Sequence, residues 1–318
     1  MKISNRSLEK HIYGAYRTEY EKGYMSFSHY TEEQIKYFEK VSDFWWVRAN
    51  YTHSVTIEVI TDATEISFDY KMWERYDACD TMEVYVDGLC YGIKYLKDMP
   101  DKGRVSFDLP TGQKTVIVYF PIDRKVWIKG FELNGSVCKK VKRKKGKILW
   151  MGDSITQGFG TFRIGETYVN VANRELGYDV INQGIGGYLF DERVLTSMPV
   201  CTFDKIIIAF GTNQFLNADF DEEVKKYFTK LHQLYPSVPT YVLTPIWRRG
   251  DEQMQAKLEE AREKICAVCV QYPNIKTVDG KTLIPPLEEY FYDGLHPNAL
   301  GGAVYGHNVA TEIKKLKF

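Results

Sequence analysis

The feature that most constrains this chain is a change of hydrophobic period near residue 140. Before it lie short runs in which apolar and polar residues alternate: SVTIEVIT (54–61), EISFDYKMW (65–73), TMEVYVDG (81–88), RVSFDLP (104–110), KTVIVYFP (114–121) and VWIKGFELNG (126–135). Each run has period two and is bounded by Asp, Gly, Pro or Thr. A pleated strand with that pattern buries one face and exposes the other. Strands at such spacing predict an all-β sandwich of jelly-roll type over residues 1–140.

After residue 140 the pattern becomes apolar strands separated by amphipathic helices. KILWMG (147–152), DVINQG (179–184), KIIIAFG (205–211), TYVLTPI (240–246) and IKTVDG (275–280) read as strands. Helices are expected near 166–176, 220–235, 251–271 and 299–316. Strands apolar on both faces must be covered on both faces, which requires a parallel sheet between helix layers. The expectation for residues 141–318 is a flavodoxin-like three-layer α/β domain with strand order 2-1-3-4-5.

Between the two halves runs KKVKRKKGK (139–147), read as a solvated linker. The chain's 42 basic and 42 acidic residues cancel, so no whole-molecule field favours nucleic acid or an anionic membrane. No run approaches the ~18 apolar residues of a membrane span. The opening MKISNRSLEKHIYGAYRTEY carries no apolar leader core, which points to the cytoplasm. Cys266 and Cys269 form a CxxC without a second pair, inside an expected helix. They read as incidental thiols. A homo-oligomer is left open.

In an open parallel sheet, ligands bind beyond the carboxyl ends of the strands. Four polar or glycine-rich clusters fall there: Gly152-Asp153-Ser154-Ile155-Thr156-Gln157-Gly158, Asn182-Gln183-Gly184-Ile185-Gly186-Gly187, Gly211-Thr212-Asn213, and Asp293-Gly294-Leu295-His296-Pro297 before the last helix. Acyl transfer needs a hydroxyl, a base, a carboxylate orienting the base, and donors for the oxyanion. Ser154, His296 and Asp293 supply the first three. The Ser154 N–H, the Gly187 N–H and the Asn213 side chain supply the donors. Gly184 or Gly186 is the competing register for Gly187, and Ser154 or Asp153 is an alternative helix cap.

GDSITQG, NQGIGG, GTN and DGLHP, in that order, resemble the four blocks of the SGNH/GDSL hydrolase superfamily over residues 147–318. The resemblance implies Ser154 as nucleophile, Gly187 and Asn213 as oxyanion donors, Asp293 and His296 as the rest of a triad, and no metal or organic cofactor. Many members carry Asp after the Asn of the third block, where this chain has Gln214. The N-terminal half, with FWWVRANYTHSVTIEVITDATEISFDY and TMEVYVDG, resembles the β-sandwich of two-domain carbohydrate esterases. That likeness implies an esterase taking O-acetyl groups from carbohydrates, with a small-molecule or oligosaccharide ester as partner. Trp247, in TPIWR, and Tyr292 are candidate substrate contacts, and Arg248 reaches the site or makes a salt bridge. Trp247 reads equally as a core plug, and core packing is the default for Trp45, Trp46, Trp73 and Tyr76, although FWWVR and MWERYD could lie at the domain junction. A lipase, lysophospholipase or thioesterase is the alternative with the same chemistry. A non-catalytic carbohydrate-binding protein is the alternative without it.

Overall fold

The computed structural model describes residues 1–73, 80–142, 145–198 and 201–316. Tyr76 and Cys79, and most of MWERYD, lie outside them. The N-terminal half holds two antiparallel sheets. The first runs Arg17–Glu21, Tyr24–Ser28, Lys125–Leu133, Glu65–Trp73, Lys102–Asp108 in spatial order. The second runs Lys139–Lys140, Thr56–Thr61, Lys114–Tyr119, Thr81–Val86, Leu89–Tyr95. Their inward residues, among them Phe27, Ile57, Val59, Phe68, Val84, Val118, Val126, Ile128 and Phe131, make one buried core. This is the sandwich that the period-two pattern predicts.

The C-terminal half holds a five-stranded parallel sheet in the order Asp179–Gly184, Lys147–Gly152, Lys205–Ala209, Thr240–Leu243, Ile275–Val278. In chain order this is 2-1-3-4-5. One core, with Leu149, Ile181, Ile206 and Ile208, packs under Phe220–Leu234 and Glu252–Cys269. The other, with Ile148, Trp150, Ile207 and Tyr241, packs under Tyr168–Leu176 and Ala299–Lys315. Alternate residues of each strand thus feed opposite cores, which is why these strands are apolar throughout.

Some elements carry no period-two apolar signature. Leu89–Tyr95 is an edge strand with little burial. Glu32–Val41 is a helix opened by a capping box between Thr31 and Gln34. It is followed by the seven-residue helix Asp43–Ala49. The basic run is not wholly linker: exposed Lys139–Lys140 pair with Ile60 and Val59 at the edge of the second sheet.

The halves are joined by polar bonds that are buried or partly buried. Asn182 Nδ2 donates to Ser54 Oγ at 3.0 Å, Gln183 Nε2 to the His29 carbonyl at 2.8 Å, and Arg163 Nε to Glu83 Oε1 at 2.6 Å. Phe38 and Tyr30 of the N-terminal half sit in the first α/β core, with Phe38 edge-on to Tyr188 at 5.3 Å. Unpaired polar groups in such a contact are costly, so these bonds fix one relative placement.

Candidate active site

The strand Lys147–Gly152 ends on Asp153, whose carboxylate accepts the Ile155 N–H at 3.0 Å and caps the short helix Ser154–Gln157. Asp153 takes the cap, leaving the Ser154 hydroxyl unneeded for that purpose. Burial pushes the Asp153 carboxyl up to about 7, against the pull of the Ile155 N–H. Ser154 Oγ lies 2.8 Å from His296 Nε2, and His296 Nδ1 lies 2.8 Å from Asp293 Oδ2.

The Asp293–His296 turn is held by its own bonds. Asp293 Oδ1 accepts the Leu295 N–H at 3.0 Å and the His296 N–H at 2.9 Å. Behind it, the Tyr292 N–H donates to the His296 carbonyl at 2.8 Å. Burial pushes the Asp293 carboxyl up, but the His296 backbone N–H, the imidazole and the Leu295 N–H together hold it below its ordinary value. Gly160, at φ +85°, passes so close that a Cβ there would stand 2.6 Å from His296 Cβ. Phe159 packs edge-on to the imidazole at 4.7 Å.

Three glycines follow Asp179–Gly184 or end it, and their N–H groups differ. The Gly184 N–H donates to Asn182 Oδ1 at 2.9 Å, and the Gly186 N–H to Gln157 Oε1 at 2.7 Å. The Gly187 N–H has no partner among the described residues. Its φ of +71° is a conformation glycine adopts at little cost. Asn213 donates one Nδ2 hydrogen to the Tyr188 carbonyl at 3.1 Å, leaving the other for the cleft. Gln214 is buried and accepts the Phe190 N–H, so it fastens the second loop to the third.

The cleft is a cavity of about 200 Å³ lined by Phe44, Arg48, Ser154, Gln157, Phe159, Gly186, Gly187, Asn213, Leu295 and His296. Ser154, Gly187, Asn213 and His296 therefore meet in one space, with Asp293 behind the imidazole. Trp247 and Tyr292 are not among the lining residues. The Trp247 ring packs on Phe291 at 5.0 Å beside the second α/β core. Tyr292 is exposed and stacks edge-on against Phe162 at 4.7 Å. Arg248 makes no ion pair among the described residues. Its Nη1 donates to the Thr212 carbonyl at 2.8 Å and braces the loop before Asn213.

The sequence does not single out Phe44 and Arg48 as lining residues, although FWWVR could lie at the domain junction. They stand four apart on the helix Asp43–Ala49, with the guanidinium 3.4 Å from the Phe44 ring centre. Helical spacing alone pairs them; only the fold carries them to Ser154. Among the described residues, no group of three or more His, Cys, Asp or Glu side chains could hold a metal ion. No described helix is long and apolar enough to cross a membrane.

A serine, a histidine and a carboxylate thus stand in line at the carboxyl edge of a parallel α/β sheet, an arrangement that acyl transfer can use. Residues 150–304 match the GDSL-like Lipase/Acylhydrolase family, and this part of the chain is a GDSL-like (SGNH) domain. The whole fold is similar to that of a salicylyl-acyltransferase, SsfX3, from a tetracycline biosynthetic pathway: TM-score 0.77 at 18% identity, covering 99% of this chain and 97% of that one. It is also similar to a family two carbohydrate esterase from Clostridium thermocellum in complex with cellohexaose, with TM-score 0.63, 15% identity, and 83% and 93% of the two chains covered. For the acetyl xylan esterase Est2A from the rumen bacterium Butyrivibrio proteoclasticus the values are 0.58, 15%, 82% and 89%. At these identities the likeness concerns the fold. No curated protein matches the chain by sequence.

Proposed function

We propose that this chain is a serine esterase that removes small acyl groups, O-acetyl groups on carbohydrates foremost, through Ser154, His296 and Asp293. The observation that carries the reading is the line from Ser154 Oγ through both ring nitrogens of His296 to Asp293 Oδ2, each contact 2.8 Å, opening on a cleft of about 200 Å³.

In the reaction, His296 Nε2 takes the Ser154 proton as Oγ attacks the ester carbonyl. Asp293, ionised, stabilises the imidazolium and fixes its orientation. The Ser154 and Gly187 N–H groups and the Asn213 amide stabilise the oxyanion. His296 returns the proton to the departing alcohol, leaving an acyl group on Ser154. Water, deprotonated by His296, attacks that ester, and the carboxylic acid leaves as Oγ regains its proton. The free Gly187 N–H, against the engaged N–H groups of Gly184 and Gly186, supports the Gly187 register.

The modest cleft, about 200 Å³, supports acetyl over long acyl chains and is the ground for preferring this reading to a lipase. The carbohydrate leaving group is supported by the fold likeness to carbohydrate esterases and by the sandwich half. A 4-nitrophenyl ester series from acetate to octanoate tests acyl size, and acetate release from acetylated xylan and mannan tests the alcohol. kcat/KM is expected to be highest for acetate; values rising towards octanoate would reject the acetylesterase assignment.

A further inference from the structure

The outer face of the first sandwich sheet carries a second cavity, and nothing in the ester chemistry uses it. In Glu65–Trp73 the inward residues are Ile66, Phe68 and Tyr70; in Lys125–Leu133 they are Val126 and Ile128. Lys71, Trp73, Lys125 and Trp127 therefore point the other way. The strands pair so that Trp73 stands opposite Lys125 and Lys71 opposite Trp127. Two indoles and two ammonium groups thus form a diagonal checkerboard on a face that sandwiches ordinarily leave polar. A third indole, Trp46, closes one side edge-on to Trp73 at 5.7 Å. Glu21, Asn50 and Met72 complete the described lining of a cavity of about 400 Å³.

Its charges are already balanced. Lys71 Nζ lies 2.9 Å from Glu21 and Lys125 Nζ 2.6 Å from Glu19, while Asn50 Oδ1 accepts from Lys125 at 3.2 Å. Both ammonium groups also stand near the Trp127 ring, at 4.7 and 5.2 Å from its centre. Among the described residues an anion or a cation would find no uncompensated partner here. A hydrocarbon would bury ion pairs against apolar surface without returning their lost hydration. A pyranose offers C–H faces for the indoles and rim hydroxyls that both donate and accept for Lys, Glu and Asn.

We infer that the checkerboard of Trp73, Lys125, Lys71 and Trp127, walled by Trp46, is a binding site for a neutral sugar unit of an oligosaccharide, separate from the catalytic cleft. The helix Asp43–Ala49 divides the two. Phe44 and Arg48 face the cleft, while Trp46, two residues on and so about 200° around the helix, faces the checkerboard. Opposite sides of a helix lie about 10 Å apart, so a chain of a few sugars could reach from one site to the other. The inference stands on the groove's own chemistry and survives if the esterase reading fails.

The test is calorimetric titration of xylohexaose, cellohexaose and mannohexaose into the full-length Ser154→Ala protein, with 4-nitrophenyl acetate hydrolysis by wild type measured separately. At least one hexaose should bind and weaken by about tenfold or more in Trp127→Ala, with the thermal melt retained. Should Trp127→Ala melt early, Lys71→Met, which removes an ammonium and keeps the stem, carries the same expectation. Absence of binding by all three at about 10 mM, a free energy near −3 kcal/mol, overturns the inference. So does binding that Trp127→Ala and Lys71→Met leave intact and Phe44→Ala abolishes, because the sugar would then sit in the catalytic cleft. Hydrolysis without hexaose binding rejects the groove alone; hexaose binding without hydrolysis rejects the esterase alone.

Discussion

Gln157 Nε2 donates to Asp123 Oδ1 across 2.5 Å, joining the turn that follows Ser154 to the sandwich half of the chain. The other end of the same amide accepts the Gly186 N–H at 2.7 Å. Asp123 thereby holds Gln157, and Gln157 holds the residue before Gly187. Replacing Asp123 with Ala frees the amide to turn and loosens the glycine loop. kcat for 4-nitrophenyl acetate is expected to fall about tenfold, ~1.4 kcal/mol of barrier, with KM changing less. An unchanged kcat would show that the loop needs no support from the sandwich.

The contact between the halves has a buried ionic anchor. The Glu83 side chain is fully buried and receives Arg163 through Nε at 2.6 Å and Nη2 at 3.4 Å, with Thr81 Oγ1 at 2.7 Å. Removing one partner of such a pair strands the other charge. Arg163→Leu is therefore expected to cost about 3 kcal/mol in urea unfolding. A loss below about 0.5 kcal/mol would mean that water reaches Glu83 readily.

His29 and His53 are both fully buried, with ring centres 4.6 Å apart. Burial lowers His29 to about 4. Burial, then the neighbouring His29, lowers His53 well below its ordinary value. Between pH 6.5 and 4 the unfolded chain binds protons that the folded histidines refuse, so this pair makes stability fall as pH falls. The shift at His29 alone corresponds to roughly 3 kcal/mol. Asp80, pushed up to about 8 by burial and then by Asp123, and Asp153 work in the opposite sense, binding protons when folded. The check is therefore a difference. Urea unfolding of wild type and His29→Gln from pH 7 to 4.5 should give curves that converge or cross as pH falls, wild type losing more. Parallel curves would mean that His29 titrates alike in both states.

The residues that meet in the cleft were legible because each follows a strand of one parallel sheet. The continuous apolar runs locate those strands, and the order 2-1-3-4-5 gathers their carboxyl ends. Ser154, Asn213 and His296 stand out there by their local motifs, while Gly187 is preferred over Gly184 and Gly186 only through the family resemblance. Phe44 and Arg48 were not legible individually, because their helix is short and only long-range packing of Phe38 and Trp45 on Tyr188 sets where it lies. Gln157 sat inside the GDSITQG motif, yet its role depends on Asp123, far away in sequence. Trp247 shows the opposite limit. A Trp beyond a strand end fits a binding rim or a core plug equally well, and only the fold sets its ring against Phe291. The checkerboard needs the register between two strands, which alternation alone does not supply.

The most direct measurement of the central claim compares 4-nitrophenyl acetate hydrolysis by wild type and Ser154→Ala at equal concentration, with folding checked by thermal melt. The proposed chemistry predicts that the variant loses on the order of 10³-fold or more in kcat, because the acyl group has no oxygen to join. Equal rates for the two proteins would contradict it.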